Sequence, residues 1–266
     1  MIKSPEEQEL DEKNRQLEEL ETEFAALQLD YSTLSVELTL FRDRYNLRVG
    51  IFYAQLDALR AEICEVEAQL SPRNENVRIA AKAAREQANA TYDEVNEFAS
   101  DGHAHCQPTE ELKKLYRQAA KLIHPDRAID EDDRQLRDRL MADINVAYSK
   151  GNADAITSLV AQYRDQLTTT STDNIGTQLV RAIRSIAKTK ERINALVSAI
   201  AELNGSKWAT LKLDIESKEA RGKDPLGQLG EKIQRDIISA KEELELLRSK
   251  LRTDSEALSL VSGRKS

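Results

Sequence analysis

The sequence has few of the residues that bend, break or cross-link a chain: nine glycines, five prolines and two cysteines, Cys64 and Cys106, in 266 residues. Two cysteines cannot make a disulfide framework, and no histidine lies at a recognisable spacing from Cys64 to activate it as a nucleophile. No apolar run is as long as a membrane span. The acidic start, MIKSPEEQELDE, is unlike a signal peptide. These absences predict a cytoplasmic protein with no membrane partner.

Catalytic and nucleic-acid-binding signals are also missing. The chain has no glycine-rich phosphate loop and no nucleophile–base arrangement, so we expect no catalytic residues and no enzymatic activity. Its net charge of −8 argues against a nucleic-acid partner. His103, His105 and Cys106 are ligand types for zinc, but a four-ligand site needs more, and the remaining histidine is His124. We therefore interpret 101–106 as a polar linker and expect no metal and no cofactor.

Charged residues, by contrast, make up 32% of the chain. A composition rich in Ala, Glu, Lys, Leu and Arg is typical of long helices and coiled coils. We predict an all-α fold, a helical hairpin flanked by long coiled-coil helices. Four segments follow in order: a long coiled-coil helix over 1–70, an alanine-rich return helix and linker over 71–106, the hairpin domain over 107–167, and a helical coiled-coil region with a disordered tail over 168–266.

The first segment begins with a capping box, Ser4 and Glu7, and Pro5 at the first helical position. Apolar residues then follow at spacings of three and four, which is a coiled-coil seam; they are Leu17, Leu20, Phe24, Leu27, Tyr31, Leu34, Leu38 and Phe41. Two successive steps of four, through Tyr45 to Val49, form a stutter, which unwinds a coiled coil locally. Gly50 beside it is a candidate bend.

Ser71-Pro72 ends this helix, and the next one carries alanines suited to a close antiparallel return along 40–70. The seam over 17–38 therefore needs another partner. One candidate is the region 175–251 of the same chain, whose apolar spacing also mixes threes and fours. The other is the same seam of a second chain, which would make a homodimer.

Local signals divide the C-terminal region. The stretch TTTSTDN, residues 168–174, is a linker, and helical pattern resumes at Ile175. Gly205 and Ser206 are a stop and a new cap, and Asp224 caps the last helix. Upstream, Asn152 or Asp154 caps a helix that begins near Ala153.

Residues 109–148 carry the most informative pattern. Thr109 is an N-cap followed by two acids, and an apolar stripe then runs through Leu112, Leu115, Tyr116, Ala119 and Ile123. Lys113, Arg117 and Lys121 recur every four residues on nearly the opposite side, with Lys114 beside them. Pro125 ends this helix at Ile123-His124. Asp130 caps a second helix with a matching stripe, which Gly151 ends; its members are Leu136, Leu140, Ile144, Ala147 and Tyr148. Two such helices form an αα-hairpin.

This stretch resembles the J domain of the Hsp40 (DnaJ-type) co-chaperones. LKKLYRQAAKLIHPDR is similar to the family's second helix with its His-Pro-Asp loop, and MADINVAY to the end of its third helix. The resemblance covers about residues 92–165. It implies that the chain binds a DnaK-type Hsp70 and stimulates its ATPase through His124, Pro125 and Asp126. A basic face would make the docking contact: Lys113, Lys114, Arg117, Lys121 and Arg127. The coiled-coil arms would then target a client or partner protein.

The sequence departs from the family at both ends of the hairpin. The family's first helix, with its Tyr and Leu-Gly signature, is not visible before Thr109, and Tyr92, Val95 and Phe98 are candidates for an equivalent helix. After Tyr148, SKGNADAITSLVAQY replaces the basic fourth helix. The alternative function is therefore a structural or adaptor coiled-coil protein, in which the J-like hairpin is only a packing unit.

Overall fold

The structure is a computed structural model that describes residues 4–100, 106–123, 128, 131–166 and 174–262, without the side chains of 97–100, 165–166 and 255–262. Its regular elements are all helical, and no strand occurs in these ranges. The predicted all-α class is confirmed. In chain order the helices are α1 (Pro5–Tyr45), a π-helical turn (Asn46–Gly50), α2 (Ile51–Leu70), α3 (Glu75–Ser100), α4 (Glu110–Leu122), α5 (Glu131–Ser149), α6 (Ala153–Gln166), α7 (Ile175–Asn204), α8 (Lys207–Glu219) and α9 (Pro225–Ser262).

Predicted helix ends and caps agree with the structure at several points. The Ser4 and Glu7 side chains each bond the other residue's backbone N–H, at 3.2 and 2.7 Å, as a capping box requires. Asn152 accepts the N–H of Ala155 at 2.9 Å, so it is Asn152 and not Asp154 that caps α6. None of the described helices combines the length and the hydropathy needed to cross a membrane.

The chain forms two compact units, and each draws on two separate stretches of sequence. The first comprises residues 1–40 and 103–211, and the second comprises 41–102 and 212–266. The four predicted segments follow the order of the chain, whereas the units group residues by contact. A helix that the sequence shows as one continuous segment, such as α1, therefore contributes to both units.

The π-helical turn lies where the apolar spacing predicts a stutter. A π-helical turn contains about one residue more than an α-helical turn. It can therefore keep apolar residues that follow at two successive steps of four on the same side of the helix. Gly50 itself has ordinary helical angles, φ −56° and ψ −45°, so it is not a bend. A Cβ atom at position 50 would lie only 2.8 Å from Oδ1 of Asn46, so the close packing of this turn favours glycine.

In the second unit, α2 contacts both α3 and α9. Arg85 of α3 donates from Nε to Oε1 of Glu65 at 2.7 Å, and Thr91 donates to Oδ2 of Asp57 at 2.9 Å. As α3 advances its partners in α2 move back, so the return is antiparallel, as predicted. Beside α2, α9 runs parallel to it: Asp224 pairs with Arg48 at 2.9 Å, and Arg248 pairs with Glu62 at 2.7 Å.

In the first unit, one apolar core joins α1, α4, α5 and α6. From α1 it takes Ala25, Leu29 and Val36, all less than a tenth exposed. These three residues are not members of the predicted seam. A heptad pattern assumes that a helix has one buried face, so it does not reveal a second one. The hairpin is thus a partner of α1 that the sequence did not suggest. The two suggested partners, the region 175–251 and the same seam of a second chain, stay predictions.

Candidate functional site

The first helix of the hairpin, α4, begins as its sequence predicts. Thr109 has extended backbone angles, and its side-chain oxygen accepts the N–H of Leu112 at 3.2 Å. Glu110 and Glu111 occupy the first turn, where the helix dipole favours acids. The helix ends at Leu122, and the next residue, Ile123, is fully buried.

Helices α4 and α5 lie antiparallel, held by contacts at two levels. The hydroxyl of Tyr116 donates to Oδ1 of Asn145 at 2.6 Å, and nearer the connecting segment Arg137 donates from Nη1 to the Leu122 carbonyl at 3.4 Å. The rings of Tyr116 and Tyr148 are 4.6 Å apart and tilted by 54°, a favourable aromatic geometry. Both tyrosines are fully buried, so the predicted apolar stripes of the two helices meet.

Helix α1 closes the open side of this pair through polar contacts. Ser32 bonds the Tyr116 hydroxyl at 2.9 Å, and Thr33 bonds the Tyr148 hydroxyl at 2.7 Å. Since the single proton of Tyr116 is given to Asn145, the Ser32 hydroxyl is the donor in its bond. Burial raises the pKa of Tyr116 to about 12, and burial also raises the pKa of Tyr148.

The structure thus gives α1 as a helix that packs against the hairpin, a role for which we proposed candidates just before Thr109. Tyr92 and Val95 belong to the other compact unit, and Tyr92 is 61% exposed. The side chain of Phe98 lies outside the described residues. The helix immediately before the hairpin in sequence was the natural candidate, but α1 reaches the hairpin across 84 and 115 residues.

At the end of the hairpin where the chain leaves α4, a buried arginine ties three helices together. Arg137, only 3% exposed, donates from Nε to Oδ1 of Asp133 at 3.0 Å. Its guanidinium also lies 5.0 Å from the ring centre of Tyr163 in α6, a cation–π contact. Together with its bond to Leu122 this network fixes the end of α4 against the start of α5.

The predicted Hsp70-activating residues follow directly on this network. His124, Pro125 and Asp126 lie outside the described residues, as do Arg127 and the predicted cap Asp130. The residues on either side are described: Ile123 is buried in the hairpin core, and α5 begins at Glu131. The position of the tripeptide in the chain is therefore between two helices whose pairing is defined.

The four described members of the predicted basic face differ in their surroundings. Lys113 bonds Glu110 at 2.9 Å, which raises the pKa of the lysine and lowers the pKa of the carboxyl. Lys121 pairs with Glu18 of α1 at 3.2 Å. Lys114 and Arg117 are exposed, and neither forms an ion pair with another described residue. Two cations of this face are thus open to solvent.

The other end of the hairpin depends on a glycine. Gly151 has φ +69°, its N–H bonds the Tyr148 carbonyl at 3.0 Å, and it ends α5 as predicted. A Cβ there would lie 2.8 Å from Cβ of Cys106. Cys106 is exposed, and its N–H bonds the Ser149 carbonyl at 3.4 Å. The described residues hold no group of three metal-ligand side chains, and His103 and His105 lie outside them.

Sequence reasoning missed several residues of this site, for two reasons. Ser32 and Thr33 are small polar residues in a helix that we assigned by its apolar seam, so they looked like surface positions. Arg137 and Asp133 looked like an ordinary surface pair at i and i+4, because nothing in the sequence shows that α6 covers them with Tyr163.

No protein-family model matches this chain, and neither a curated protein nor a solved structure is similar to it at a significant level. The likeness of residues 109–148 to a J domain therefore stays a prediction from the residues themselves.

Proposed function

We propose that the chain is a J-domain-type co-chaperone that docks on a DnaK-type Hsp70 and stimulates its ATPase through His124, Pro125 and Asp126. The observation that carries this proposal is the antiparallel pairing of α4 and α5, since the tripeptide connects these two helices. The Arg137 network supports it further, because it ties α4 to α5 on the two sides of the tripeptide in the sequence.

The docking contact would be electrostatic. Lys114 and Arg117 are exposed on α4, the helix that leads into the tripeptide, and an acidic surface on the Hsp70 would complement them. Opposite charges of this kind speed association and lose strength as salt screens them. ATP hydrolysis takes place in the Hsp70, so this chain needs no nucleotide or metal of its own. The long helices outside the hairpin would bind a client or partner protein.

The test is the steady-state ATPase rate of a DnaK-type Hsp70 with and without the full chain. We expect stimulation by the parent and by His103→Gln, and none by His124→Gln. The two variants make the same substitution, one in the predicted linker and one in the tripeptide. Circular dichroism should show equal helicity for all three proteins. Equal stimulation by His124→Gln and the parent would refute the proposal.

One contact favours the second candidate, an adaptor whose hairpin only packs. Lys121 of the predicted docking face is occupied by Glu18, so part of that face serves intramolecular packing. If the Hsp70 uses Lys121, then Glu18→Gln should free it and strengthen Hsp70 binding about two- to threefold, while an exposed pair of this kind contributes less than about 1 kcal/mol to stability. Unchanged Hsp70 affinity in Glu18→Gln, together with no ATPase stimulation by the parent, would favour the adaptor.

A further inference from the structure

An open apolar groove runs along the second unit, between α3 and the continuous helix formed by the end of α1, the π-helical turn and α2. Its volume is about 720 Å³. Three large apolar residues of its wall are unusually exposed: Leu47 at 73%, Ile51 at 48% and Tyr92 at 61%. Walls that are this exposed make a groove and not an enclosed pocket, so a small ligand would remain largely in water.

The groove has the dimensions and the periodicity of a seat for a helix. The wall from the α1–α2 side includes residues 43, 47, 51, 54 and 58, at steps of four, four, three and four. Steps of three and four keep these residues on one side of the helix, and from 43 to 58 they extend over about 22 Å at 1.5 Å per residue. A helix of about four turns would cover it, by the helix-in-groove mode of recognition.

One buried polar group in the wall lacks a partner. Asn46 is only 7% exposed, and its Nδ2 donates to no other described atom. A buried donor without an acceptor costs about 1–3 kcal/mol, so native proteins rarely keep one without a reason. Asn46 belongs to the π-helical turn, and such turns are frequent at functional sites. Nδ2 itself has no solvent-accessible surface, so it is the π-helical turn, and not a bond to Asn46, that points to a functional wall.

The charges around the groove are negative and not neutralised. Asp43 lines it, and Asp93 and Glu94 are exposed between the wall residues Tyr92 and Val95. Within the described part of the chain none of these three acids forms an ion pair. The nearby cations are already used, since Arg44 pairs with Glu219 of α8 and Arg48 pairs with Asp224, just before α9.

We infer that this groove binds an amphipathic helix of a partner protein, with an apolar stripe for Leu47 and Ile51 and with lysines or arginines flanking that stripe for the acids. The inference does not depend on Hsp70 binding, because the groove and the hairpin belong to different compact units.

The probe is a fluorescein-labelled peptide of 18 residues with leucines along one helical face and lysines elsewhere. Its matched partner has glutamates in place of the lysines. Fluorescence anisotropy with the full chain should show saturable binding of the leucine–lysine peptide, one per chain, and at least tenfold weaker binding of the leucine–glutamate peptide. Equal affinity for the two peptides would overturn the charge argument.

Variants locate the site. Leu47→Glu and Ile51→Glu should each weaken binding at least fivefold, whereas Leu246→Glu should change it less than twofold, since Leu246 is a 57% exposed leucine on α9 of the same unit. Asp43→Asn should weaken binding about twofold, and Glu242→Gln, which removes an equal charge on α9, should not. Because Leu47 and Ile51 are exposed, helicity should stay at the parent level in both groove variants.

Sedimentation velocity of the parent tests whether a second copy of this chain fills the groove. If the parent is a dimer and Leu47→Glu converts it to a monomer, the groove binds a second copy of this chain and the inference is wrong about the partner. If none of the groove variants changes peptide binding, the inference is refuted.

Discussion

The Tyr116 hydroxyl gives the sharpest test of the way α1 completes the hairpin. Tyr116→Phe keeps the ring and removes a hydroxyl that bonds Asn145 and Ser32. At neutral pH the loss should lower the free energy of unfolding by about 1–2 kcal/mol, because two partly buried groups lose a partner. That figure alone would not identify the burial of Tyr116, since many hydroxyl deletions cost as much.

The pH dependence does identify it. Burial raises the pKa of Tyr116 from 10.0 to about 12. Because the folded pKa is the higher one, the neutral hydroxyl stabilises the fold fully below pH 10, and this stabilisation is lost as the pH rises through 12. A shift of this size removes about 1.4 kcal/mol from the parent between about pH 9 and about pH 11. Tyr116→Phe has no hydroxyl to ionise and does not lose this free energy. The difference in unfolding free energy between parent and variant should therefore nearly vanish at the higher pH.

Urea denaturation of parent and variant at both pH values measures this difference. Circular dichroism follows the whole chain, and the emission of the single tryptophan, Trp208, follows the unit that contains the hairpin. Titration of other groups, Tyr148 included, occurs in both proteins and cancels in the comparison. A deficit that is the same at the two pH values would mean that Tyr116 titrates normally, and α1 would then not cover the hairpin.

Two further predictions concern the ends of the hairpin. Arg137→Met should cost about 3 kcal/mol of unfolding free energy in urea denaturation, because it breaks a buried charged pair, whereas Arg134→Met, in an exposed pair with Glu131, should cost less than about 0.5 kcal/mol; equal costs would show that the network is solvated. Gly151→Ala should lower the melting temperature more than Gly222→Ala: both glycines have positive φ, 69° and 75°, but only the first would bring a Cβ within 4 Å of a neighbour, Cys106. Equal losses would mean that the backbone angle alone sets the cost.

The helix ends in this chain are predictable because their causes are local. Thr109 and Gly151 act on backbone groups within a few residues of themselves, and so does the proline after Ser71. The antiparallel return of α3 follows from equally local information, a short break and a stripe of alanines. The stutter also had a local signature, and it takes the form of a π-helical turn and not of a bend at Gly50.

The partner of α1 is not predictable in this way, because its causes are spread over the chain. A spacing of three and four shows that a helix has a buried face, but not how many faces or which neighbour covers them. The contacts that decide it, Ser32 with Tyr116 and Thr33 with Tyr148, join residues 84 and 115 positions apart. The sequence did not predict the groove beside Asn46 for a related reason. An apolar helix face that is open to solvent has the same sequence pattern as one that another helix covers.

These distant contacts bear on the proposed function. A hairpin of two short helices cannot bury its apolar stripes alone, and here the burial is shared with α1 and α6. The same α1 that buries the tyrosines also supplies Glu18, which holds Lys121 of the proposed docking face. Whatever binds or moves α1 would therefore change both the stability of the hairpin and the number of cations it presents. A J-type activity in this chain would depend on its N-terminal helix, and the hairpin would not act as a separable module.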